Sequence, residues 1–503
     1  MPVSLHVDPL IEALHRHGAS ALAGRSVYFI GIGGCGVSGL AQMLARRGAI
    51  CSGSDYLRSD LTDSLQATGI NVRFDQAQGR IPESCDLVIA SAAIRPDHPE
   101  IAAAVVRGVP VMSYAQALGI LQIDRTGVSI AGTHGKSTTA SMLSHVLIQC
   151  GLDPSVIVGA TCAQIGGGCR TGAARIPKGQ LAGKPGVFVA EACEFNRSFH
   201  HHRPQFGLIN NLEEDHLDIY GSLEAIIEAF AGFARLIPPE DFGGRLLIAH
   251  EGAHRREVAA GLSCAVSTFG FSPAADYQVA YDATNGQVEI SCGPKPCARW
   301  INRSPGDHNA MNAAAAAILA GWLGAEWNDI ANALSDFHGV DRRMQRLGTR
   351  SAPGGRGSVT VYDDYGHHPT EIDRTLRALR AAENPNRLIC VFQPHQHSRT
   401  RFLLEQFAQS FSCADVVIVP HIYFVRDSEI EKHKVSAADL VDRLRSRGLT
   451  AMHLYPFEAI VEQLEVMCRP GDLVVIMGAG PVWQVGQQFM AGHHANERLQ
   501  ATG

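Results

Sequence analysis

Val128–Gly151 reads VSIAGTHGKSTTASMLSHVLIQCG, and this stretch decides the fold. Val128–Ala131 is a short apolar run of the kind shown by parallel strands covered on both faces. Gly132-Thr133-His134-Gly135-Lys136-Ser137 follows it, and Met142, Leu143, Val146 and Leu147 then mark one apolar helix face that stops at Gly151. Strand, glycine-rich turn and helix together form the unit from which parallel α/β layers are built. The backbone N–H groups of such a turn, with the helix N-terminus, cradle phosphate oxygens. Lys136 is placed to reach a transferred phosphate, and the Ser137 hydroxyl suits Mg2+. The run departs from GxxxxGK[ST] in having Ile130 at the first glycine position.

Upstream the same pattern recurs. Residues 25–30, RSVYFI, lead into GIGGCGVSGLAQMLARRG, where Val37, Leu40, Ala41, Leu44 and Ala45 share a helix face closed by Gly48. Gly31-Ile32-Gly33-Gly34-Cys35-Gly36 fits GxGxxG, and Asp55 in CSGSD lies where a ribose-binding acid follows in a dinucleotide site. The physics of the loop specifies only a diphosphate, so a dinucleotide, another nucleoside diphosphate and a structural turn all stay open. A kinase or ligase needs one site for ATP and another for its acceptor. A nicotinamide-dependent oxidoreductase explains the first loop and leaves Lys136 and Ser137 idle.

Downstream, Leu388–Phe392, Val416–Val419 and Leu473–Met477 read as buried parallel strands alternating with amphipathic stretches such as Ala437–Arg447. The 503 residues predict about three α/β domains at roughly 100–200 residues each. Ile123-Asp124-Arg125 reads as a short hinge and Gly348–Gly357 as a linker, which sets the domains at 1–123, 124–347 and 348–503. Residues 163–185 lack periodicity and read as an exposed loop. With 46% apolar and 18% charged residues and a net charge of −6, the chain has core enough to fold and no basic block to track nucleic acid. Ala313–Leu323, the longest apolar segment, is far short of the roughly 20 residues of a membrane span. The N-terminus carries no export pattern. Thirteen cysteines without a CxxC point to reduced thiols in a cytoplasm.

Two acid-rich runs, VFVAEACE (187–194) and NNLEEDHLD (210–218), follow apolar strands, where open α/β sheets place metal and substrate groups. Glu191 offers Mg2+ a hard oxygen; His216 is a less usual ligand, and solvated loop ends are the alternative. His200-His201-His202 reads as surface. Polar knots stand at GDHN (306–309), GVDRR (339–343), YDDYGHHP (362–369) and QPHQHSRTR (393–401). Asn309 there can cap a helix, and the arginines can clamp phosphate or carboxylate.

GIGGCGVSGLA with SGSD, GTHGKSTT, EACEFNRSF, NLEEDHLD, GDHNAMNA, GVDRRMQRLG, YDDYGHHPTEI and FQPHQHSRTRF occur in the order of the Mur ligases of peptidoglycan synthesis. The chain resembles that family over nearly its whole length. The resemblance implies an N-terminal Rossmann-like domain, a central P-loop ATPase with a mainly parallel sheet, and a C-terminal Rossmann-like domain. It also implies ATP-dependent joining of L-alanine to the muramoyl carboxylate of UDP-N-acetylmuramate, through an acyl phosphate, by a cytoplasmic monomer or homodimer. Gly31, Gly33, Gly34 and Gly36, with Ser54, Asp55 and Ser91, then serve the UDP sugar. Gly132, Thr133, His134, Gly135, Lys136, Ser137 and Thr138 serve the ATP phosphates, with Asn309, Arg343 and Asp364 on the nucleotide. Ser137, Glu191 and His216 attend Mg2+, and Lys136, Glu191, His216 and Arg343 form the catalytic set. His367, His368 and Arg399 line the muramoyl and alanine region.

Some positions depart from the family pattern. Gln396 and His397 stand where many relatives have Arg and an aromatic residue, so more of the contact falls to Arg399. Cys193 replaces an acid. Glu224–Ala234 lacks the lysine that several relatives carbamylate, as in the alanine-adding members. The nearest rival, a murein-peptide recycling ligase, usually lacks the GIGG form of the first loop. A catalytically silent nucleotide-binding regulator is opposed by the intact Lys136, Glu191 and His216.

Overall fold

The computed structural model describes residues 8–352, 357–425, 427 and 429–492. Their strands form three α/β sheets. The first has β1 (Ser26–Ile30), β2 (Ile50–Ser54), β3 (Asn71–Arg73), β4 (Leu87–Ala90) and β5 (Val111–Ser113), ordered β3-β2-β1-β4-β5 and parallel throughout. The strand order reverses between β1 and β4. In open parallel sheets that switch point, at the carboxyl ends of the strands, is where ligands bind. Gly31–Gly36 leaves β1 there, Asp55 leaves β2 and Ser91 leaves β4.

The second sheet has β6 (Thr126–Ala131), β7 (Ser155–Cys162), β8 (Gly167–Arg170), β9 (Val187–Glu191), β10 (Phe206–Ile209), β11 (Arg245–Ala249), β12 (Ala265–Gly270), β13 (Tyr277–Asp282), β14 (Gln287–Cys292) and β15 (Lys295–Ile301). Its order is β15-β14-β13-β12-β11-β10-β6-β9-β7-β8. β6 lies between β10 and β9 with Ile130 opposite Glu191 and Ala131 opposite Ile209. That register brings the second glycine loop, Glu191 and Asn210 to one edge.

The third sheet has β16 (Gln345–Ser351), β17 (Ser358–Asp364), β18 (Leu388–Phe392), β19 (Val416–Val419), β20 (Thr450–His453) and β21 (Leu473–Met477), ordered β16-β17-β21-β18-β19-β20. Only the β16–β17 pair runs antiparallel.

The chain forms two compact units. Among the described residues, one comprises 8–280, 288–301 and 311–337; the other comprises 281–287, 302–310 and those from 338 to 492. In the first, Val27, Phe29, Leu40, Leu44 and Ile89 share a buried cluster with Ile157, Phe188 and Ala190, so the first two sheets are joined by one core. Each of the Val, Leu, Ile and Phe side chains there contributes about 1.5–3 kcal/mol when fully buried. The helix Cys35–Arg46 approaches β8 so closely that a Cβ on Gly39 would lie 2.6 Å from Cys169 Cβ. In the second unit, Ile372, Leu376, Leu388, Cys390, Phe407 and Val475 belong to one core cluster, and Val359, Ile389, Ile418 and Ile476 to another.

Four expectations need correction. Residues 163–185 are more than a loop: β8 pairs antiparallel with β7, and Ile165 and Ile176 are buried anchors. Residues 348–351 continue β16 rather than linking, a shift between Arg346 and Gly348 in the ladder accommodating the glycine; 353–356 lie outside the described residues. Of the three adjacent histidines only His201 is exposed, since His202 is buried against Ser129 and His200 bonds Ala229 O. Asn309 does not cap its helix, which begins at Asp307.

Candidate nucleotide and substrate site

Gly135 (φ 81°) is the N-cap of the helix Lys136–Gln149 and supplies no side-chain acceptor, so the first N–H groups of that helix carry its positive end. A Cβ at Gly135 would fall 2.4 Å from Asn312 Oδ1, and one at Gly132 (φ 140°) 3.2 Å from Asn210 N. Asparagines brace the loop. Asn211 Oδ1 accepts the His134 N–H at 2.8 Å, its carbonyl accepts the Thr133 N–H at 3.1 Å, and Asn210 Nδ2 donates to Thr139 Oγ1 at 2.9 Å. His134 Nε2 lies 3.4 Å from Glu213, and Thr138 is partly buried on the first helical turn.

Lys136 folds across its own loop, with Nζ donating to Gly132 O at 2.6 Å and Thr133 O at 2.9 Å while pairing with Glu194 at 2.9 Å. Burial alone would lower its pKa. Glu194, helped by Cys193 and Glu191, overrides that and holds the ammonium above its ordinary value. Ser137 Oγ donates to Glu191 Oε2 at 2.9 Å, which also accepts the Gly159 N–H at 2.8 Å. His216 (φ 54°) joins the cluster through Glu194, 3.9 Å from its Nε2, and Asp215, at 3.7 Å. One ligand atom from each of Glu194, Asp215 and His216 lies within 4.8 Å of the others. Hard oxygens on Ser137 and Glu191, with this second group close to Lys136, fit a divalent cation of the Mg2+ kind.

At the first loop, Gly31 (φ 76°) and Ile32 donate to the Ser54 carbonyl at 2.9 and 3.0 Å. The Gly33 N–H donates to Asp55 Oδ2 at 2.7 Å, so the expected ribose acid braces the loop. Gly34 is the N-cap of the helix Cys35–Arg46, again without a capping side chain. Ser91 packs beside Gly31, where an added Cβ would lie 3.0 Å from its own Cβ. Ser54, expected among the substrate contacts, instead buries its hydroxyl and donates to Glu100 at 2.5 Å. Burial raises the pKa of Glu100, against the hydrogen bonds from Ser54 and Tyr28 and the charge of Arg73.

In the second unit, Asn309 Nδ2 donates to Pro305 O at 2.9 Å and meets Met344 Sδ at 3.3 Å. Asp364 is buried and takes the N–H groups of Met344 (2.7 Å) and Gly366 (2.6 Å); burial raises its pKa against the Arg343 charge. Of the adjacent arginines, Arg342 is spent on Asp363 (3.2 Å) and Gly478 O (2.6 Å), while Arg343 lies over the Tyr365 ring at 4.8 Å. His367 meets the His395 ring edge-on at 5.5 Å, and His368 is the N-cap of the helix Pro369–Glu383, its ring accepting from Thr370 N. Arg399 is buried on the helix His397–Phe402, where left-handed Gln396 (φ 67°) is the N-cap. Gln396 and His397 are both buried, so the two departures fit the local packing.

Sequence reasoning missed Glu194, Asn210, Asn312 and Tyr114. The first three stood inside the quoted motifs; their partners lie 58, 71 and 173 residues away in the chain, which no local pattern reveals.

A glycine loop and lysine between a parallel strand and a helix, beside an acid-ended strand, define an α/β enzyme that works on a nucleoside triphosphate. Three family models match in order: Mur ligase family, catalytic domain, over 26–125; Mur ligase middle domain over 130–320; and Mur ligase, glutamate ligase domain, over 342–480. The chain belongs to the Mur ligase family. A UDP-N-acetylmuramate–L-alanine ligase of Lachnospira eligens is 38% identical over 473 residues, covering 92% of this chain and 97% of that protein. The protein of the same name from Agathobacter rectalis is 36% identical with 92% and 97% covered. Among solved structures, UDP-N-acetylmuramate-alanine ligase from Thermotoga maritima matches with a TM-score of 0.73 at 24% identity, covering 95% of this chain and 100% of that one. A murein peptide ligase from Psychrobacter arcticus matches at 0.68, also at 24% identity, with 93% and 98% covered. Both likenesses carry the three-domain α/β fold. No helix among the described residues is long and apolar enough to cross a membrane.

Proposed function

We propose that this ligase joins L-alanine to the muramoyl carboxylate of UDP-N-acetylmuramate at the expense of ATP, releasing ADP and phosphate. The observation that carries this reading is the Lys136–Glu194 and Ser137–Glu191 cluster, set at an uncapped helix N-terminus. The names of the relatives support the choice of sugar and amino acid. The limits of the family models support a division near 124 and a second one between 320 and 342, ahead of β16 rather than at 348, into portions that serve the UDP sugar, ATP and the amino acid.

Gly132–Thr138 holds the triphosphate, and Lys136 swings from its own loop carbonyls to the transferred phosphoryl group. The Glu194 carboxylate keeps it charged. Asn309, Arg343 and Asp364 hold the rest of the nucleotide. Ser137, Glu191 and His216 hold Mg2+, which when bound neutralises charge on the phosphoryl oxygens. The muramoyl carboxylate attacks the γ-phosphate in line and ADP leaves, so that a poor electrophile becomes an acyl phosphate. The amine of L-alanine attacks that carbonyl, and phosphate departs as the amide forms. Gly31, Gly33, Gly34 and Gly36, with Asp55 and Ser91, hold the sugar diphosphate, and His367, His368 and Arg399 orient the muramoyl and alanine groups. We place the reaction in a cytoplasm that supplies ATP, in a monomer or homodimer.

The test is phosphate release from ATP with Mg2+, UDP-N-acetylmuramate and each amino acid in turn. Release that requires both the sugar and L-alanine supports the reading. Release only with a preformed peptide replaces it with a recycling ligase, and no release overturns it.

A further inference from the structure

Tyr114 belongs to none of the motif groups, yet its hydroxyl lies against the first glycine loop and its ring against the core that joins the first two sheets. It opens the helix Tyr114–Gln122 directly after β5. A capping box fixes that first turn: Ser113 N–H donates to Gln116 Oε1 at 2.8 Å and Gln116 N–H to Ser113 Oγ at 3.2 Å. The ring packs on the shared core, and its hydroxyl covers Gly36, where an added Cβ would lie 2.5 Å from Oη and 2.8 Å from Cζ. Burial raises the pKa of this hydroxyl, and the charge of Glu191 at the end of β9, followed by the Cys193, Cys169 and Cys35 thiols, adds to that rise. A phenol donor therefore stands against the first turn of the helix offered to the sugar diphosphate, and the field of Glu191, the acid bonded to Ser137, reaches it.

A substrate with its diphosphate on the first loop and its carboxylate delivered to the second must span the two. Near Glu191 an incoming carboxylate meets like charge, which disfavours both remaining ionised. A neutral O–H donor relieves that repulsion without competing for the metal, and an ordinary phenol stays protonated at neutral pH. We infer that Tyr114 hydrogen-bonds the carboxylate-bearing arm of the nucleotide sugar and is a specificity-determining residue of the ligation. This inference rests on the ligase reading.

The experiment compares full-length wild type with Tyr114→Phe by calorimetric titration of UDP-N-acetylmuramate and of UDP-N-acetylglucosamine, which lacks the lactyl carboxylate. Tyr114→Phe is expected to weaken the first by roughly tenfold or more, the size of a hydrogen bond to a charged acceptor, and the second by less than about twofold. KM for UDP-N-acetylmuramate rises in parallel, KM for ATP does not, and the melting temperature holds. Tyr114→Leu, which lacks both ring and hydroxyl, shows the same split between sugars if the hydroxyl is responsible. An equal loss for both sugars, or no loss, overturns the inference. Wild-type turnover is followed in the same series: its absence removes the ligase reading and this inference with it, whereas its presence with unchanged Tyr114→Phe removes this inference alone.

Discussion

The two glycine loops share one plan and are braced by opposite charges. Each leaves a parallel strand and opens a helix behind a glycine N-cap with no capping side chain. The first is held by a carboxylate, Asp55, on the Gly33 N–H, and Gly31–Gly36 contains no cation. The second carries an ammonium, Lys136, folded on its own carbonyls and balanced by Glu194. A diphosphate that is only held needs N–H groups and a helix end. A phosphoryl group whose charge is redistributed during reaction needs a mobile cation as well. The difference is that between holding and transferring.

Lys136→Ala breaks this comparison most severely. Turnover should fall by roughly a thousandfold or more, because phosphoryl transfer depends on such a cation. The variant should also lose about 1–3 kcal/mol of stability in a denaturant titration, since Glu194 stays buried without its partner. Lys136→Ala with Glu194→Gln should recover stability but no activity. Recovered activity would remove the lysine from the chemistry.

Next comes a reciprocal pair. Gly135→Ala forces a Cβ onto Asn312 from a positive φ, and should weaken ATP binding by roughly tenfold or more while UDP-sugar binding holds. Gly36→Ala should do the reverse. The reason is that its Cβ meets Tyr114, so the loop moves before any ligand is crowded. Titrations with both ligands on both variants check this, and a loss of ATP binding in Gly36→Ala would exchange the two assignments.

The strands beneath the loops should respond to pH with opposite signs. His202, bonded to Ser129 in β6, has its pKa pushed down by burial to about 3. The unfolded chain takes up its proton first, so this stability is present above the unfolded value and is lost as pH falls. At pH 5 the loss is about 2 kcal/mol relative to pH 7, and His202→Asn should abolish it in denaturant titrations at both pH values. Glu100, under β1 and β2, is raised by burial, so its contribution is present at low pH and lost as pH rises through its folded value. Glu100→Gln should remove that dependence.

The smallest effect is reserved for Gly34→Ala. An added Cβ there meets nothing nearer than Gly31 O at 3.7 Å, so stability should fall by no more than about 1 kcal/mol, the preference of an N-cap for glycine over alanine. Any loss of UDP-sugar affinity in that variant reads the approach of the diphosphate itself.

Much of this was legible because it is local. Apolar runs at Val128–Ala131, Leu388–Phe392, Val416–Val419 and Leu473–Met477 are strands, and the glycines between strand and helix mark both loops. What stayed hidden depends on distance in the chain. Asn312 reaches Thr139 from 173 residues away, and Asp55 reads equally well as a ribose ligand or as the brace it is. Ser54 sits in the right motif with its hydroxyl turned inward, since alternate strand residues face opposite ways and the inward position found Glu100. β8 escaped notice because an edge strand of glycine, cysteine and arginine carries no apolar alternation. His202 looked exposed among histidines until β6 covered it.

The partition of the chain also bears on its synthesis. Residues 281–287 and 302–310 belong with the second unit, although they are made before 311–337 of the first. These two early segments, the turn between β13 and β14 and the start of the helix at Asp307, meet where the Gly306 N–H donates to the Tyr281 hydroxyl at 3.0 Å, and Asn309 beside them meets Met344, which is made later. Exchange of whole units between relatives by a single crossover would therefore separate segments that belong together, and inheritance of the chain in one piece is the physical expectation.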